Sequence, residues 1–217
     1  AVAHLKQYLK RALPHSYKAT RNQLHGLDYS SKLSPWLALG SISARSVMKR
    51  LKQFESEQGA NEGSYWLWFE LLWRDYFRFM FKKYDNKFFL KAGFKGQAPS
   101  EAPNQRELFE RWKLGQTGIP FIDANMRELN ATGFMSNRGR QNVASYLVKE
   151  LQVNWTWGAA YFEEQLIDYC PANNWGNWAY LAGVGNDPRE DRHFNTAKQA
   201  QLYDPAGKYI QLWNNVS

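Results

Sequence analysis

The chain has 217 residues, 16% of them aromatic, and a formal net charge of +8. This length fits one large domain or two small ones, and the basic excess indicates either an anionic partner, most simply a nucleic acid, or a merely soluble basic protein. The single cysteine, Cys170, excludes an internal disulfide and a cysteine-ligated zinc or iron–sulfur site, the four histidines show no metal spacing, and no apolar run is long enough to cross a bilayer.

The first sixty residues predict short helices separated by polar segments. Apolar spacing indicates an amphipathic helix, and not a signal peptide, over residues 1–13. Residues 17–33 are polar and irregular. A short helix is expected over residues 35–39, and Ser43 is expected to cap the helix that follows.

The segment over residues 64–84 predicts a helix that is apolar on nearly every side and therefore buried all round. Glu70 and Arg74 stand one turn apart in it and share a face with Trp73 and Phe77. Charges inside so apolar a helix are either paired or face a cavity. Two alternatives follow: a Glu70–Arg74 ion pair, or a polar stripe that lines a pocket.

The rest of the chain also indicates helices, joined by loops. Residues 85–106 are predicted to be an irregular basic loop, and helices are expected over residues 108–112, over residues 120–129 with an end at Gly133, and from Asn137 onward. After Gly183 the chain is expected to be rich in loops. No alternating strand pattern is found, so the sequence predicts an all-α fold forming one domain over residues 1–217.

Residues 168–189 combine an acid, asparagines and tryptophans with few aliphatic side chains. A core helix favours Leu and Ile at helical spacing, whereas a solvent loop does not favour Trp. Asn side chains suit the mixed donor and acceptor edge of a flat heterocycle, and Trp offers a stacking face and a ring that can pass an electron. The stretch therefore indicates either a ligand pocket or an irregular aromatic core.

Two charged clusters are candidate binding elements. Residues 30–35 place three hydroxyls and Lys32 at a predicted helix start, which indicates either a cradle for a diphosphate or an ordinary cluster of capping residues. Arg138 and Arg140 lie within one turn and have Asp168 available later in the chain. No nucleophile–base pair stands out, so an enzyme built on this sequence would leave the difficult chemistry to a cofactor.

Several linked motifs resemble the flavin domain of the photolyase/cryptochrome family. They are Tyr17 and the segments 28–36 (DYSSKLSPW), 69–77 (FELLWRDYF), 137–140 (NRGR) and 174–178 (NWGNW). Segments 185–192 (GNDPREDR) and 198–201 (KQAQ) resemble the cryptochrome-DASH branch most closely. The resemblance covers essentially the whole chain. Because the family also has an N-terminal α/β antenna domain and this chain starts at Ala1, we expect an isolated C-terminal domain.

The resemblance implies FAD as cofactor, folded into a U within a helical bundle. The residues that match the family's cofactor-binding positions are Tyr17, Ser30, Ser31, Lys32, Leu33, Ser34, Arg140, Asp168, Cys170 and Asn174. Arg140 and Asp168 are expected to pair beside the isoalloxazine, and Asn174 is expected to face its N5 atom. Trp178 is expected to be the inner member of an electron-transfer chain, with Trp155 next and Trp157 as candidate outer donor.

The resemblance also implies a cavity for a pyrimidine dimer flipped out of DNA. The positions that match its lining are Glu70, Trp73, Arg74, Asn137, Arg138, Gln141 and Tyr180. Glu70 is expected to stabilise the dimer radical by a hydrogen bond, which places it with Asn174, Trp178 and Trp155 among the catalytic residues.

Four positions depart from the pattern of photolyases that repair duplex DNA. Tyr180 stands in place of a second cavity Trp and Gln141 in place of Met, as in cryptochrome-DASH. Cys170 replaces an acid, and residues 96–106 contain no Trp where the family's third, surface tryptophan is expected.

The leading hypothesis is light-driven, FAD-dependent repair of cyclobutane pyrimidine dimers, preferring single-stranded DNA. One alternative is a blue-light sensor of the cryptochrome type that uses the same pocket, and another is a flavin-free nucleic-acid-binding fragment. We expect a cytoplasmic monomer with DNA as its partner, no metal and no membrane association.

Overall fold

The computed structural model describes residues 1–186 and 193–215, and within those ranges it contains helices and no strand. The all-α prediction is therefore confirmed. In chain order the α-helices of these ranges are α1 Val2–Lys10, α2 Tyr17–Thr20, α3 Ser34–Ala38, α4 Ala44–Gln58, α5 Glu62–Tyr84, α6 Gln105–Lys113, α7 Pro120–Thr132, α8 Asn137–Ser145, α9 Trp155–Gln165, α10 Pro171–Leu181, α11 Thr196–Tyr203 and α12 Lys208–Asn214. Single 3-10 turns follow α1 and α5, and a π turn follows α8.

Helix ends follow local capping chemistry. The Ser43 side chain accepts a hydrogen bond from the Ser46 N–H at 3.0 Å, which confirms the predicted cap of α4. Helix α7 starts at Pro120 and ends at Gly133, whose φ of 67° is a conformation that glycine adopts without strain. Helix α5 begins with a reciprocal capping box between Asn61 and Ser64.

The largest hydrophobic core lies among α6, α7, α8, α9 and α10. It is centred on tryptophans that are almost fully enclosed, Trp112, Trp155 and Trp178. Two smaller clusters hold α1 against α3, α4 and α5, and a fourth joins α7 to α12 through Phe121 and Tyr209. The aromatic richness of the sequence is thus used mainly for packing.

The stretch over residues 168–181 is more regular than its composition suggests, because residues 171–181 form α10. Pro171 occupies the first turn, and small residues bring neighbouring helices close: a Cβ on Gly176 would overlap the Phe77 ring, and one on Gly158 of α9 would overlap Trp178. In this helix, a tryptophan side chain that packs closely on glycine takes the place of the Leu and Ile residues that an ordinary core helix buries. The alternative of an irregular aromatic core is therefore wrong for this part of the stretch, whereas residues 187–189 lie outside the described residues.

The prediction that α5 is buried on every side is also wrong. Its outward positions Leu72, Tyr76 and Phe79 are exposed, the last of them by 72%. Only one side of the helix packs on α10 and on the N-terminal helices. Aromatic residues occur on both sides of this helix, and for that reason the sequence pattern wrongly predicts that every side is buried.

Several boundaries differ from the sequence prediction: α1 ends at Lys10 and not at residue 13, and the segment over residues 17–33 begins with α2. Residues 85–106 include a 3-10 turn at Asp85–Phe89, and α6 is longer than the predicted 108–112. The segment after Gly183 contains α11 and α12 and is not only loop. These two helices are eight and seven residues long, and such short segments carry little periodic signal.

Candidate functional site

A cleft of about 570 Å³ lies between the α2, α3 and α5 side of the bundle and the α8 and α10 side. A smaller pocket of about 110 Å³ adjoins it between α8, α9 and α10. The two share several lining residues: Asn137, Arg140, Gln141, Asp168, Cys170, Asn173 and Asn177. They therefore form one composite site.

This composite site brings together nearly all the residues that the sequence singled out. The cleft is lined by the residues shared with the smaller pocket and by Tyr17, Ser30, Ser31, Lys32, Leu33, Ser34, Glu70, Trp73, Arg74, Arg138 and Tyr180. Asn174 and Trp178 line the smaller pocket. Trp155 lies in neither; it is 1% exposed, and its indole N–H donates to the Lys91 carbonyl at 2.8 Å.

An ion pair between Arg140 and Asp168 joins α8 to the segment before α10. The Arg140 Nη2 atom lies 3.0 and 2.9 Å from the two Asp168 carboxylate oxygens, and its Nε donates to the Met135 carbonyl at 2.9 Å. Burial alone would raise the pKa of Asp168, but the charge and hydrogen bond of Arg140 and a hydrogen bond from Ser34 lower it below its ordinary value. Asp168 is therefore held as a carboxylate inside the site.

The segment before α3 does not act as an ordinary helix cap. Helix α3 starts at Ser34 itself, without a side-chain cap, and the Ser34 hydroxyl interacts with Asp168. Lys32 has a φ of 51°, and its Nζ lies 3.7 Å from the centre of the Tyr29 ring and 4.0 Å from that of Phe134. Burial lowers the pKa of Lys32 to about 8. The segment thus places one partly desolvated cation and the hydroxyls of Ser30, Ser31 and Ser34 along the cleft wall.

Glu70 does not pair with Arg74. It forms an ion pair with Arg21 of the loop after α2, and the Arg21 guanidinium lies 4.5 Å from the centre of the Trp66 ring. Arg74 instead donates to the Leu37 carbonyl at 3.0 Å. Burial raises the pKa of Glu70, although Arg21 opposes that shift. Because Glu70 and Arg74 both line the cleft, the alternative of a polar stripe facing a pocket is the correct one.

Helices α8 and α10 form the opposite wall. The Arg138 Nη2 donates to the Asn22 side chain at 3.1 Å, and its guanidinium stacks 4.7 Å from the Tyr203 ring centre. Asn174 donates to the Ala159 carbonyl at 2.8 Å, which fixes the side chain on the α9 side of the smaller pocket.

Three buried polar atoms in the cleft lining have no hydrogen-bond partner among the described residues. They are Tyr29 Oη, Gln141 Oε1 and Asn173 Oδ1. Buried polar atoms in native proteins are nearly always satisfied. Their position beside a cleft of this size indicates that a polar ligand supplies their missing hydrogen-bond partners.

The sequence did not single out every lining residue. Tyr29 and Phe134 flank the Lys32 ammonium, and Arg21 lines the cleft as the ion-pair partner of Glu70. Asn173 and Asn177 were quoted in the aromatic stretch but received no role; their spacing of four residues would have placed them on one face once α10 was recognised as a helix.

Behind Lys32, a buried hydrogen-bond network favours the protonated form of Glu128. The Tyr209 hydroxyl lies 2.6 Å from Glu128 Oε2 and 3.1 Å from Asn125 Oδ1, and the Asn125 amide nitrogen is already used on the Phe121 carbonyl at 2.7 Å. One hydroxyl hydrogen cannot serve two acceptors. If Glu128 carries a proton, it donates to Tyr209 and Tyr209 donates to Asn125, so every group is satisfied. Burial also raises the pKa of Glu128 to about 7.

We therefore expect Glu128→Gln to flatten the pH dependence of stability. A carboxyl whose folded pKa is raised contributes stability below its unfolded pKa of about 4.3, and loses it as pH rises through about 7. The wild type should therefore lose a few kcal/mol of stability as the pH rises from about 4.3 to about 7, at about 1.4 kcal/mol per pKa unit, and Glu128 should add no further pH dependence above that range. Thermal melts across this range measure the effect, and Glu164→Gln, at an exposed position, is the control. Parallel wild-type and Glu128→Gln curves would contradict the protonated assignment.

Within residues 1–186 and 193–215, no group of three or more potential metal ligands is found. A search of the same ranges finds no helix with the length and apolarity needed to cross a membrane.

The fold and this site define a flavin-binding domain of the photolyase/cryptochrome class. Residues 66–215 match the family described as FAD binding domain of DNA photolyase, so the chain belongs to that family, and FAD is the cofactor of this domain. The three orphaned polar atoms and the Arg140–Asp168 pair fit a polar, flat ligand in the cleft.

The relatives to which this chain is similar include proteins named cryptochrome DASH, the branch that the motifs resemble. The chain is 57% identical to cryptochrome DASH of Natronomonas pharaonis over 197 residues, covering 91% of this chain and 41% of that protein. It is 53% identical to cryptochrome DASH of Xenopus laevis over 216 residues, covering 98% and 41%. The crystal structure of a Synechocystis cryptochrome superimposes with a TM-score of 0.93 at 53% identity, covering 98% of this chain and 44% of that one. The chain thus spans about two fifths of the length of these relatives.

Proposed function

We propose that this domain binds FAD and, as part of its protein, repairs cyclobutane pyrimidine dimers in single-stranded DNA under blue light. The observation that carries the proposal is that one cleft is lined both by the Lys32 segment with the Arg140–Asp168 pair and by the Glu70, Trp73 and Tyr180 side chains. Cofactor and lesion would then lie in contact, as direct electron transfer requires.

Each group has a distinct task in this proposal. FAD supplies light-driven one-electron chemistry. Lys32 and the hydroxyls of residues 30, 31 and 34 hold its diphosphate, and Arg140 with Asp168 borders its ring system. Once Glu70 takes up a proton and leaves its ion pair with Arg21, its carboxyl donates a hydrogen bond to a dimer carbonyl, which stabilises the negative charge that develops there. Trp73, 39% exposed at the cleft, offers a face for stacking on a base.

The experiment has two parts. Purified protein is first examined for flavin absorbance, and then reduced protein is illuminated with a single-stranded oligonucleotide containing a thymine dimer. Flavin absorbance with light-dependent loss of the dimer supports the proposal. Flavin binding without repair would favour the alternative of a light sensor, and a colourless protein that cannot be loaded with FAD would favour the flavin-free alternative.

Lesion preference is expected to depend on Tyr180 and Gln141. Extruding a dimer from a duplex costs a few kcal/mol, and base–aromatic stacking returns about 1–3 kcal/mol per base. The phenol of Tyr180 and the polar Gln141 offer less apolar contact than Trp and Met would, so repair should be efficient in single strands and poor in duplex. The double change Tyr180→Trp with Gln141→Met should narrow this gap.

The measurement compares initial repair rates on single-stranded and duplex substrates at equal light dose. Tyr180→Phe, which keeps a six-membered ring, is the matched control and should leave the preference in place. Equal wild-type rates on both substrates would show that these two residues do not set the preference.

A further inference from the structure

Trp112 of α6 contacts the inner tryptophan of the smaller pocket. Its ring centre lies 6.1 Å from that of Trp178, in an edge-to-face arrangement. Trp112 is completely buried, and its indole N–H donates to the Val143 carbonyl at 3.0 Å. The sequence pattern predicts only that this residue ends a short helix.

The ring contacts continue from Trp112 towards solvent. Phe109, one turn earlier in α6, stacks on Trp112 with ring centres 5.9 Å apart, and Trp157 of α9 lies 5.5 Å from Phe109. Trp157 is half-buried and marks the outer end of this series. An unbroken, packed path thus joins the pocket to the surface.

Trp155, the partner expected for Trp178, takes part in a different set of ring contacts. Its ring centre lies 5.9 Å from that of Trp175, which in turn lies 5.0 Å from Phe89. Trp155 and Trp157 stand two residues apart in α9 and contact these two different aromatic groups.

A second residue next to Trp112, Tyr161, is a poorer outer donor than Trp157. Its ring centre is 6.0 Å from Trp112, but the Lys113 ammonium lies 5.3 Å from the Tyr161 ring, and a nearby positive charge opposes removal of an electron. The Tyr161 hydroxyl donates at 2.6 Å to the Asn130 carbonyl oxygen, a neutral amide that is too weak a base to take the phenolic proton.

We propose that Trp112 relays electrons from Trp157 to Trp178, as a branch beside Trp155. This inference rests on the proposed function, because Trp178 must first give one electron to the light-excited, oxidised FAD. Trp112 then returns one electron to Trp178 and becomes a cation radical, since the Val143 carbonyl leaves its N–H proton in place. Trp157 reduces Trp112 in the same way, loses its indole proton to water at the half-exposed position, and regains a hydrogen atom from a thiol in solution.

The test compares Trp112→Phe, Trp155→Phe and the double variant in FAD-loaded protein after a laser flash. Time-resolved absorbance follows the long-lived tryptophanyl radical, which reports on the protein's own residues independently of repair. Trp155→Phe should keep a measurable radical yield, Trp112→Phe should lower it severalfold, and the double variant should lose it. Trp157→Phe, at a half-buried position that tolerates truncation better, should lower it as Trp112→Phe does. Tyr161→Phe is the matched control and should retain the wild-type yield.

The outcomes separate this inference from the proposed function. If wild-type protein cannot be loaded with FAD, both the proposed function and the proposed Trp112 relay are overturned. A different result would overturn only the Trp112 branch. In that result FAD is bound, and Trp112→Phe and Trp157→Phe leave the radical yield unchanged, whether they are introduced into the wild type or into Trp155→Phe. Melting curves of each variant identify any loss of yield that comes from loss of folding.

Discussion

Asp168→Ala is expected to give protein that purifies without FAD and melts at a lower temperature. The change removes both carboxylate oxygens from Arg140 and the hydrogen bond from Ser34. Asp168 has a side chain only 2% exposed, so the variant leaves a positive charge without its partner inside the site. Breaking such a buried pair typically costs about 3–5 kcal/mol. Flavin absorbance of the purified protein and a thermal melt measure the two effects.

The chain offers a matched control in the exposed Arg11–Asp28 pair. Both of its side chains are about half exposed, so Asp28→Ala should leave the melting temperature nearly unchanged and FAD content unchanged. Asp168 should also contribute to acid sensitivity: since its folded pKa is lowered, its stabilisation is present above the unfolded pKa of about 3.9 and is lost as pH falls through the folded value. Yellow Asp168→Ala protein with an unchanged melting temperature would contradict the pairing argument.

The Arg140–Asp168 pair was predictable because its signal is local chemistry. Two opposite charges in aromatic surroundings must form an ion pair or lose their charge. The resemblance to the family then indicates which two residues pair. The helical class was predictable for a similar reason, since no alternating strand pattern competes with the helical one. The role of these residues in binding FAD remains a prediction.

The pairing of Glu70 with Arg21 could not be predicted from spacing alone. The two residues are separated by 49 positions, and the competing partner Arg74 was only one turn away. The choice between them is made by the packing of α2 on α5, which directs the Arg21 guanidinium across the Trp66 ring. The Tyr209–Glu128 contact depends in the same way on α12, a seven-residue helix without a usable periodic signal.

The helix α10 was missed for a different reason. Sequence patterns detect helices by aliphatic residues on one face, whereas α10 packs Trp178 against Gly158 and Trp175 against the rings of Trp155 and Phe89. This packing also determines which residues lie next to each tryptophan on the proposed electron-transfer path. It directs Trp175 towards Trp155 and Trp178 towards Trp112, although the two tryptophans stand only three residues apart.

Trp178→Phe is expected to abolish light-driven flavin reduction, because both proposed branches pass through this residue. The Trp178 side chain lines the smaller pocket, is 2% exposed, and has ring contacts with Phe162 at 5.1 Å and Trp112 at 6.1 Å. A phenylalanine ring preserves much of the packing but is far harder to oxidise than an indole. Loss of either outer branch alone should leave partial reduction, whereas loss of the shared inner donor should leave none.

Trp175→Phe is the matched control for this prediction, since it removes a second buried tryptophan from the same helix. Trp175 contacts Trp155 and Phe89. Its loss should disturb only the Trp155 side, so flavin reduction should persist through Trp112. The measurement is the rate of bleaching of oxidised-flavin absorbance under continuous blue light with a thiol reductant, at equal FAD content. Undiminished bleaching in Trp178→Phe would mean that electrons enter the pocket by a route that avoids α10, and a complete loss in Trp175→Phe would place the path on the Trp155 side alone.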